Sequence, residues 1–257
     1  MISNHACQVC GNKSLIYLYK GIDRFYGVEG TFDLYRCDRC GLISIFPAPH
    51  GDILKRYYPS DYYSYISTEK AESEKGSVKQ KASFYFRHPF KALNCILYSK
   101  LLKQKDLLCY KKGFNVLDIG CGHGKYLLDK KRHGCDCFGV DIDEKALKKL
   151  REKDGGVKTY CGNLWEAGLS NESFDVVNLD NVLEHIGEPE KVLSEVKRIM
   201  KKEAVLRVVV PNSASLTHRL FRKYWMGLDV PRHLYTFSIK NLKILFKNTG
   251  LTIQRYR

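Results

Sequence analysis

Two hydrophobic rhythms run along the chain. Its second part carries short, nearly unbroken apolar runs at 114–119, 135–140, 157–161, 173–180 and 204–210, separated by stretches of helical spacing at 125–133, 144–153 and 239–248. Short apolar runs bounded by turn residues read as strands buried on both faces. Strands that alternate with helices predict a parallel sheet covered by helices. The first part is different. Residues 17–35 alternate apolar and polar positions around Gly21, Gly27 and Gly30, which predicts short hairpin strands. The stretch 67–83 has no apolar periodicity and reads as a linker. From 84 to 108 an apolar stripe returns, with Phe86, Phe90, Leu93, Leu97, Leu101 and Leu108 beside Arg87, Lys91, Lys100, Lys103 and Lys105. This predicts an amphipathic helix, docked on the sheet or lying on an anionic surface. The expected organisation is a small module at 1–65, a polar linker at 66–83 and an α/β domain at 84–257.

Composition changes this picture little, and charge changes it more. Of 257 residues 44% are hydrophobic and 28% charged, as in ordinary globular chains, so wholesale disorder is excluded. The 43 Lys and Arg exceed the 28 Asp and Glu, for a formal net charge of +15. Anionic partners are favoured: phosphates, nucleotides, nucleic acid or an acidic membrane face, with a merely solvated basic surface as the alternative. The first residues lack the charged and apolar regions of a signal peptide, and no apolar run is long enough for a membrane span. A cytoplasmic location is expected.

Ten cysteines then need a reading other than secreted disulfides. Cys7 and Cys10, and again Cys37 and Cys40, stand in C-x-x-C-G. Four thiolates in two such knuckles suit the tetrahedral, soft-ligand preference of zinc, and a closed set of four leaves no open position for catalysis. Chance disulfides or a redox C-x-x-C are the alternatives. The module is expected to hold structural zinc. The tyrosines that follow, Tyr57, Tyr58, Tyr62, Tyr63 and Tyr65, could stack on bases or sugars but more simply pack the module against its neighbour.

The apolar run at 114–119 ends in D-x-G-x-G-x-G, with Asp118, Gly120, Gly122 and Gly124. Glycines let a backbone turn sharply and approach a ligand closely. A dinucleotide fingerprint would need its third glycine at 125, which is lysine, and a Walker loop does not fit either. Further on, Asp141 closes the second strand, Asn163 follows the third, and FDVV…VLEH carries Asp180, Asn181, Glu184 and His185. The late segment W-x-x-LD-x-PRHL-x-x-F, with Arg232, His233 and Tyr235, is specific in order and lies on a predicted loop.

Taken together, these motifs resemble the class I S-adenosylmethionine (SAM) methyltransferases, within a bacterial-type branch with an N-terminal C-x-x-C-G zinc module. The resemblance covers nearly the whole chain. It implies a Rossmann-like sheet plus a small zinc-ribbon module, with SAM as cofactor. Residue by residue, it implies that Gly120, Gly122 and Gly124 cradle the methionine part with Asp118 at the strand end, and that Asp141 binds the ribose. Asn163 would meet the adenine amine, where many relatives have an acid, and Asp180 and Asn181 would lie close to the sulfonium. Members usually close the sheet with a sixth and an antiparallel seventh strand. Only a sixth is legible here, at 250–257, so an open edge is expected, either covered by a partner chain or belonging to a shortened relative of reduced stability or activity.

SAM carries its own leaving group, so the protein mainly aligns an acceptor and excludes water. Where a proton must be removed, His185 and His233 are candidate general bases, with Glu184 orienting His185. Arg232, Tyr224 and Tyr235 could hold an anionic or hydroxylated acceptor. The expected activity is methyl transfer to a small molecule such as a sugar nucleotide or a cell-surface glycan or lipid precursor. Peripheral membrane contact and an oligomer are admissible, and nucleic acid is less favoured. The alternatives are an RNA or protein methyltransferase, and a non-catalytic zinc-ribbon scaffold on a degenerate methyltransferase fold.

Overall fold

The computed structural model describes residues 6–58 and 108–256. Tyr62, Tyr63 and Tyr65, the linker at 66–83 and nearly all of the amphipathic stretch at 84–108 lie outside the described residues. Three strands open the chain: β1 (Leu15–Gly21), β2 (Phe32–Cys37) and β3 (Ile43–Phe46), followed by the short helix α1 (Gly51–Lys55). The α/β part then runs β4 (Asn115–Ile119), α2 (Lys125–Arg132), β5 (Asp136–Asp141), α3 (Glu144–Lys153), β6 (Lys158–Cys161) and β7 (Phe174–Asp180). It continues with α4 (Pro189–Ile199), β8 (Met200–Val209), α5 (Leu216–Phe221), the two-residue strand β9 (Tyr235–Thr236) and α6 (Ile239–Asn248).

The apolar runs become a five-stranded, all-parallel sheet in the order β6-β5-β4-β7-β8. Central β4 is sealed on both faces: Val116 packs with Leu127, Leu147 and Leu150 of α2 and α3, while Leu117 packs on the side of Leu193 and Val196 of α4 and Leu245 of α6. Strand order reverses on the two sides of β4, and ligands of such sheets bind at the carboxyl ends beside that switch. Every motif singled out in the α/β part lies on or follows a carboxyl end at this edge. Asp143 caps α3 by accepting from the Lys145 N–H, and Pro189 opens α4 where a missing N–H costs nothing.

The first 58 residues share structure with the rest of the chain. Strands β1, β2, β3 and β9 form one antiparallel sheet whose last strand comes from the late loop, with Ile43 opposite Thr236 and Ser44 opposite Tyr235. Asn248 donates to the Val9 carbonyl at 3.1 Å and Lys240 to that of Arg39 at 2.9 Å. The late loop is thus held between the cysteine module and the catalytic sheet. One expectation is corrected: the sixth strand read at 250–257 is not formed over 251–256, which pair with no strand among the described residues. Alternating Leu251 and Ile253 had suggested it, but alternation alone supplies no partner backbone. Among the described residues no helix is long and apolar enough to cross a membrane.

Candidate active site

The chain leaves β4 through three left-handed glycines, Gly120, Gly122 and Gly124, at φ 70°, 51° and 73°. A Cβ at Gly120 would stand 2.4 Å from Cγ2 of Val182, so this glycine is required by packing. Gly122 differs: among the described residues a Cβ there meets no atom within 4 Å, and the loop is open on that side. Its N–H donates to Oδ2 of Asp141 at 2.7 Å, while Oδ1 of Asp141 accepts the Asp143 N–H at 2.8 Å. The acid at the tip of β5 therefore braces the glycine loop. Each of its oxygens keeps acceptor capacity for a further donor, such as a ribose hydroxyl. Burial raises the Asp141 pKa, partly offset by those two N–H donors.

Asp118 lies beneath this surface. It is buried, and its Oδ1 accepts from Nδ2 of Asn178 at 2.7 Å. Oδ1 of Asn178 accepts in turn from Arg207, which also donates to Oδ2 of Asp180 at 2.9 Å. Burial pushes the Asp118 carboxyl up to about 7. Asp180 is exposed and accepts from the side chain of Asn181, whose φ of 55° turns the chain sharply after β7. Asn163 is exposed at the end of β6, its N–H given to the carboxylate of Glu166. The cradle is thus an open glycine, Asp141, Asn163, Asp180 and Asn181 along one sheet edge, with Asp118 supporting from behind.

The residues expected to serve the acceptor gather on the late loop, which turns through two single 3-10 turns at Arg222–Tyr224 and Met226–Leu228. The Leu234 N–H donates to the Glu184 carbonyl at 2.8 Å and pins this loop to the turn after β7. His185 and His233 stack edge to face with ring centroids 4.7 Å apart. Nδ1 of His185 lies 2.9 Å from the Arg232 carbonyl and 3.1 Å from the Tyr58 hydroxyl, and Nδ1 of His233 lies 2.9 Å from the Gly227 carbonyl. Burial lowers both imidazoles, His185 to about 3 and His233 to about 4, and raises the fully buried Glu184 to about 8. Both rings are neutral at pH 7 with lone pairs on offer, but as bases they are weak.

Two substrate-binding expectations are corrected. Arg232 is fully buried, and its guanidinium donates to both oxygens of Asp23, to Oδ1 of Asp229 and to the Tyr57 carbonyl. It clamps the β1–β2 turn to the late loop and is not presented to an acceptor. Tyr235 is buried in β9, and its hydroxyl donates to the Gly187 carbonyl at 2.9 Å. Tyr224, by contrast, is exposed beneath the Arg24 guanidinium, 5.0 Å from the ring centroid. It lines a cavity of about 190 Å³ with Phe25, Lys223 and Asp229. Asp23 and Asp229 are not among the candidate residues of the sequence, and Tyr58 is marked there only as a packing or stacking tyrosine, whereas here its hydroxyl meets His185. Asp229 lies inside a quoted motif, and nothing in sequence marks Asp23.

At the other end of the small sheet, the sulfurs of Cys7 and Cys40, and of Cys10 and Cys37, are 3.5 Å apart, and all four lie within 4.8 Å of one another. This is too long for S–S bonds and suits ligands around one tetrahedral ion. Gly11 and Gly41, with φ of 68° and 78°, turn each knuckle so that their N–H groups return to the Cys7 and Cys37 carbonyls. Burial raises the thiols of Cys7 and Cys40, whereas at Cys37 burial is outweighed by hydrogen bonds that lower it to about 7, and a positive centre would hold the four sulfurs as thiolates.

The methyltransferase-domain family matches residues 57–256. The chain is similar to a protein named as a probable S-adenosylmethionine-dependent methyltransferase in Mycolicibacterium smegmatis, at 33% identity over 55% of this chain and 53% of that one. It is also similar to the ubiquinone biosynthesis O-methyltransferase of Bordetella avium, at 29% identity over 53% of this chain and 58% of that one. The matches span little more than half the length of these curated relatives. A chain from the complex between the Haloferax volcanii Trm112 methyltransferase activator and a methyltransferase shares the fold, with a TM-score of 0.50 at 17% identity over 70% of this chain and 75% of that chain. With the parallel sheet, its switch point and the glycine loop in place, the chain belongs to the methyltransferase-domain family and has the Rossmann-like fold of the class I SAM-dependent methyltransferases.

Proposed function

We propose that the protein transfers the methyl group of SAM to a small, hydroxylated and anionic acceptor, with sugar nucleotides and glycan or lipid precursors as the favoured class. The observation that carries the reading is Gly122, whose open side faces none of the described residues while its N–H is tied to Asp141. In this reading Asp141 receives the ribose hydroxyls, Asn163 the adenine amine through its amide oxygen, and the backbone of Gly120 to Gly124 the methionine part. Asp180 and Asn181 border the sulfonium. Bound SAM supplies an activated methyl and a neutral leaving group. The chain's own residues orient the acceptor and exclude water. Glu184 and His185 on the turn after β7, and His233 on the late loop, stand beside it.

The acceptor class is supported by the cavity beside Asp229, where Arg24 and Lys223 bring positive charge and Phe25 and Tyr224 bring aromatic faces. Such a lining suits an anion attached to a ring. The formal charge of +15 agrees with it. Zinc in the four-cysteine cluster is proposed as a structural ion. The deciding experiment incubates the protein with methyl-labelled SAM and fractionated cell extract, then with sugar nucleotides alone. Label in small anionic metabolites supports the reading. Label confined to RNA or protein, with a steep salt dependence, contradicts it.

A further inference from the structure

A second group of metal-type ligands lies far from the cysteines. Glu184, His185 and His233 each bring one ligand atom to a common point, all within 4.8 Å of one another. Three features single the group out. Glu184 is fully buried, and among the described residues neither of its carboxylate oxygens has a hydrogen-bond partner, although an unpaired buried carboxylate is expensive. The guanidinium of Arg232 is committed to Asp23 and Asp229. Finally, the two histidines are oriented alike. Each has Nδ1 at 2.9 Å from a backbone carbonyl, which can only accept, so each Nδ1 carries the proton.

That tautomer leaves both Nε2 atoms as acceptors. Nε2 of His233 lies 4.0 Å from Oε1 of Glu184 and 3.9 Å from Oδ2 of Asp229. The Nε2 lone pair of His233 thus faces the carboxylates of Glu184 and Asp229 with no donor between them among the described residues, and His185 brings a ring nitrogen to the same place. A cation resolves this. An Nδ1–H donated to a carbonyl is also the usual way a protein fixes a histidine for ligation through Nε2. Ligands bound at roughly 2.1 Å in a tetrahedral set stand roughly 3.4 Å apart, so the group closes by about an ångström onto an ion.

We propose that Glu184, His185 and His233 form a divalent-metal site of two imidazoles and one carboxylate, separate from the four-cysteine cluster. Mixed nitrogen and oxygen ligands select an ion of the zinc, manganese or iron(II) kind over calcium. Three protein ligands leave coordination open. Because these residues bridge the turn after β7 and the late loop, the ion fastens that loop at the sheet edge. Its open position takes an oxygen of the acceptor, a role that rests on the methyl-transfer reading, whereas the metal site itself does not. On the ion an acceptor hydroxyl releases its proton to solvent. The oxygen then forms the bond to the methyl carbon as the carbon–sulfur bond breaks, its electron pair staying on sulfur.

The test titrates the full chain, its cysteine cluster already filled with zinc, with manganese(II) chloride and follows the free ion by electron paramagnetic resonance. One manganese per chain is expected, displaced by added zinc. Glu184→Gln and His233→Gln should each weaken manganese binding about tenfold or more while the cysteine-bound zinc and the affinity for S-adenosylhomocysteine are kept. No manganese or zinc binding beyond the cysteine cluster at millimolar metal overturns the proposal, as does unchanged binding in Glu184→Gln. The wild-type stoichiometry decides even if a variant fails to fold. Absent S-adenosylhomocysteine binding with manganese still bound would count against the methyl-transfer reading alone.

Discussion

Replacing Gly122 by alanine separates a glycine kept for the chain from one kept for a ligand. At φ 51° an alanine sits in the left-handed region, which costs about 1–2 kcal/mol, and none of the described residues opposes it, because none has an atom within 4 Å of the new Cβ. For a domain of this size each kcal/mol lowers the melting temperature by about 2–4 °C, so the folded state survives. If the methionine part of SAM lies against Gly122, the methyl group intrudes on it, and calorimetry should show SAM affinity falling about tenfold or more, about 1.4 kcal/mol or more. Gly120→Ala is the contrasting variant. Its Cβ would lie 2.4 Å from Val182, so it should destabilise by a few kcal/mol, with part of the loss recovered by adding Val182→Ala. A Gly122→Ala protein that melts slightly lower yet binds SAM within about twofold of wild type would refute the placement of the cofactor.

Three further outcomes are expected. Arg232→Met leaves Asp23 and Asp229 buried without their counterion and should cost about 3–5 kcal/mol in urea unfolding; a loss under about 1 kcal/mol would show that the clamp is not a structural element. Asp118 is raised from its ordinary value of 3.8 to about 7, so its stabilising protonated form is fully present below about pH 4 and is lost as pH rises through 7. Asp118→Asn should therefore match wild type in melting temperature near pH 4 and exceed it near pH 8, and a lower value at pH 8 would contradict the burial argument. Cys10→Ser should reduce zinc measured by elemental analysis and lower the melting temperature, because the cysteine cluster holds β2 and the chain ahead of β1 to the sheet that β9 completes.

The sheet was legible in sequence chiefly through β4, β5 and β7, which are largely buried and so announce themselves as apolar-rich runs. Helix α3 and helix α6 likewise kept the bounds their spacing predicted. What could not be read was pairing across distance. Strand β9 is two residues long and exists because β3, almost two hundred residues earlier, lies beside it. A lone arginine in a polar loop looks like an anion receptor. Its true partner Asp23 is 209 residues away, and only folding reveals that the charge is already satisfied. The same limit applies to Glu184: sequence placed an acid beside a histidine, but its unpartnered burial is a property of the packed loop. The sixth strand failed in the opposite way, since Leu251 and Ile253 have the right alternation and no neighbouring strand to meet.

The most direct test of the account is a crystal structure with S-adenosylhomocysteine bound. It should show the ribose hydroxyls on the carboxylate of Asp141, the amino acid part against Gly122, and the sulfur facing the edge formed by Asp180, Glu184 and His233. A ligand bound away from Gly122 and Asp141, or a glycine loop that stays empty at saturating ligand, would contradict it.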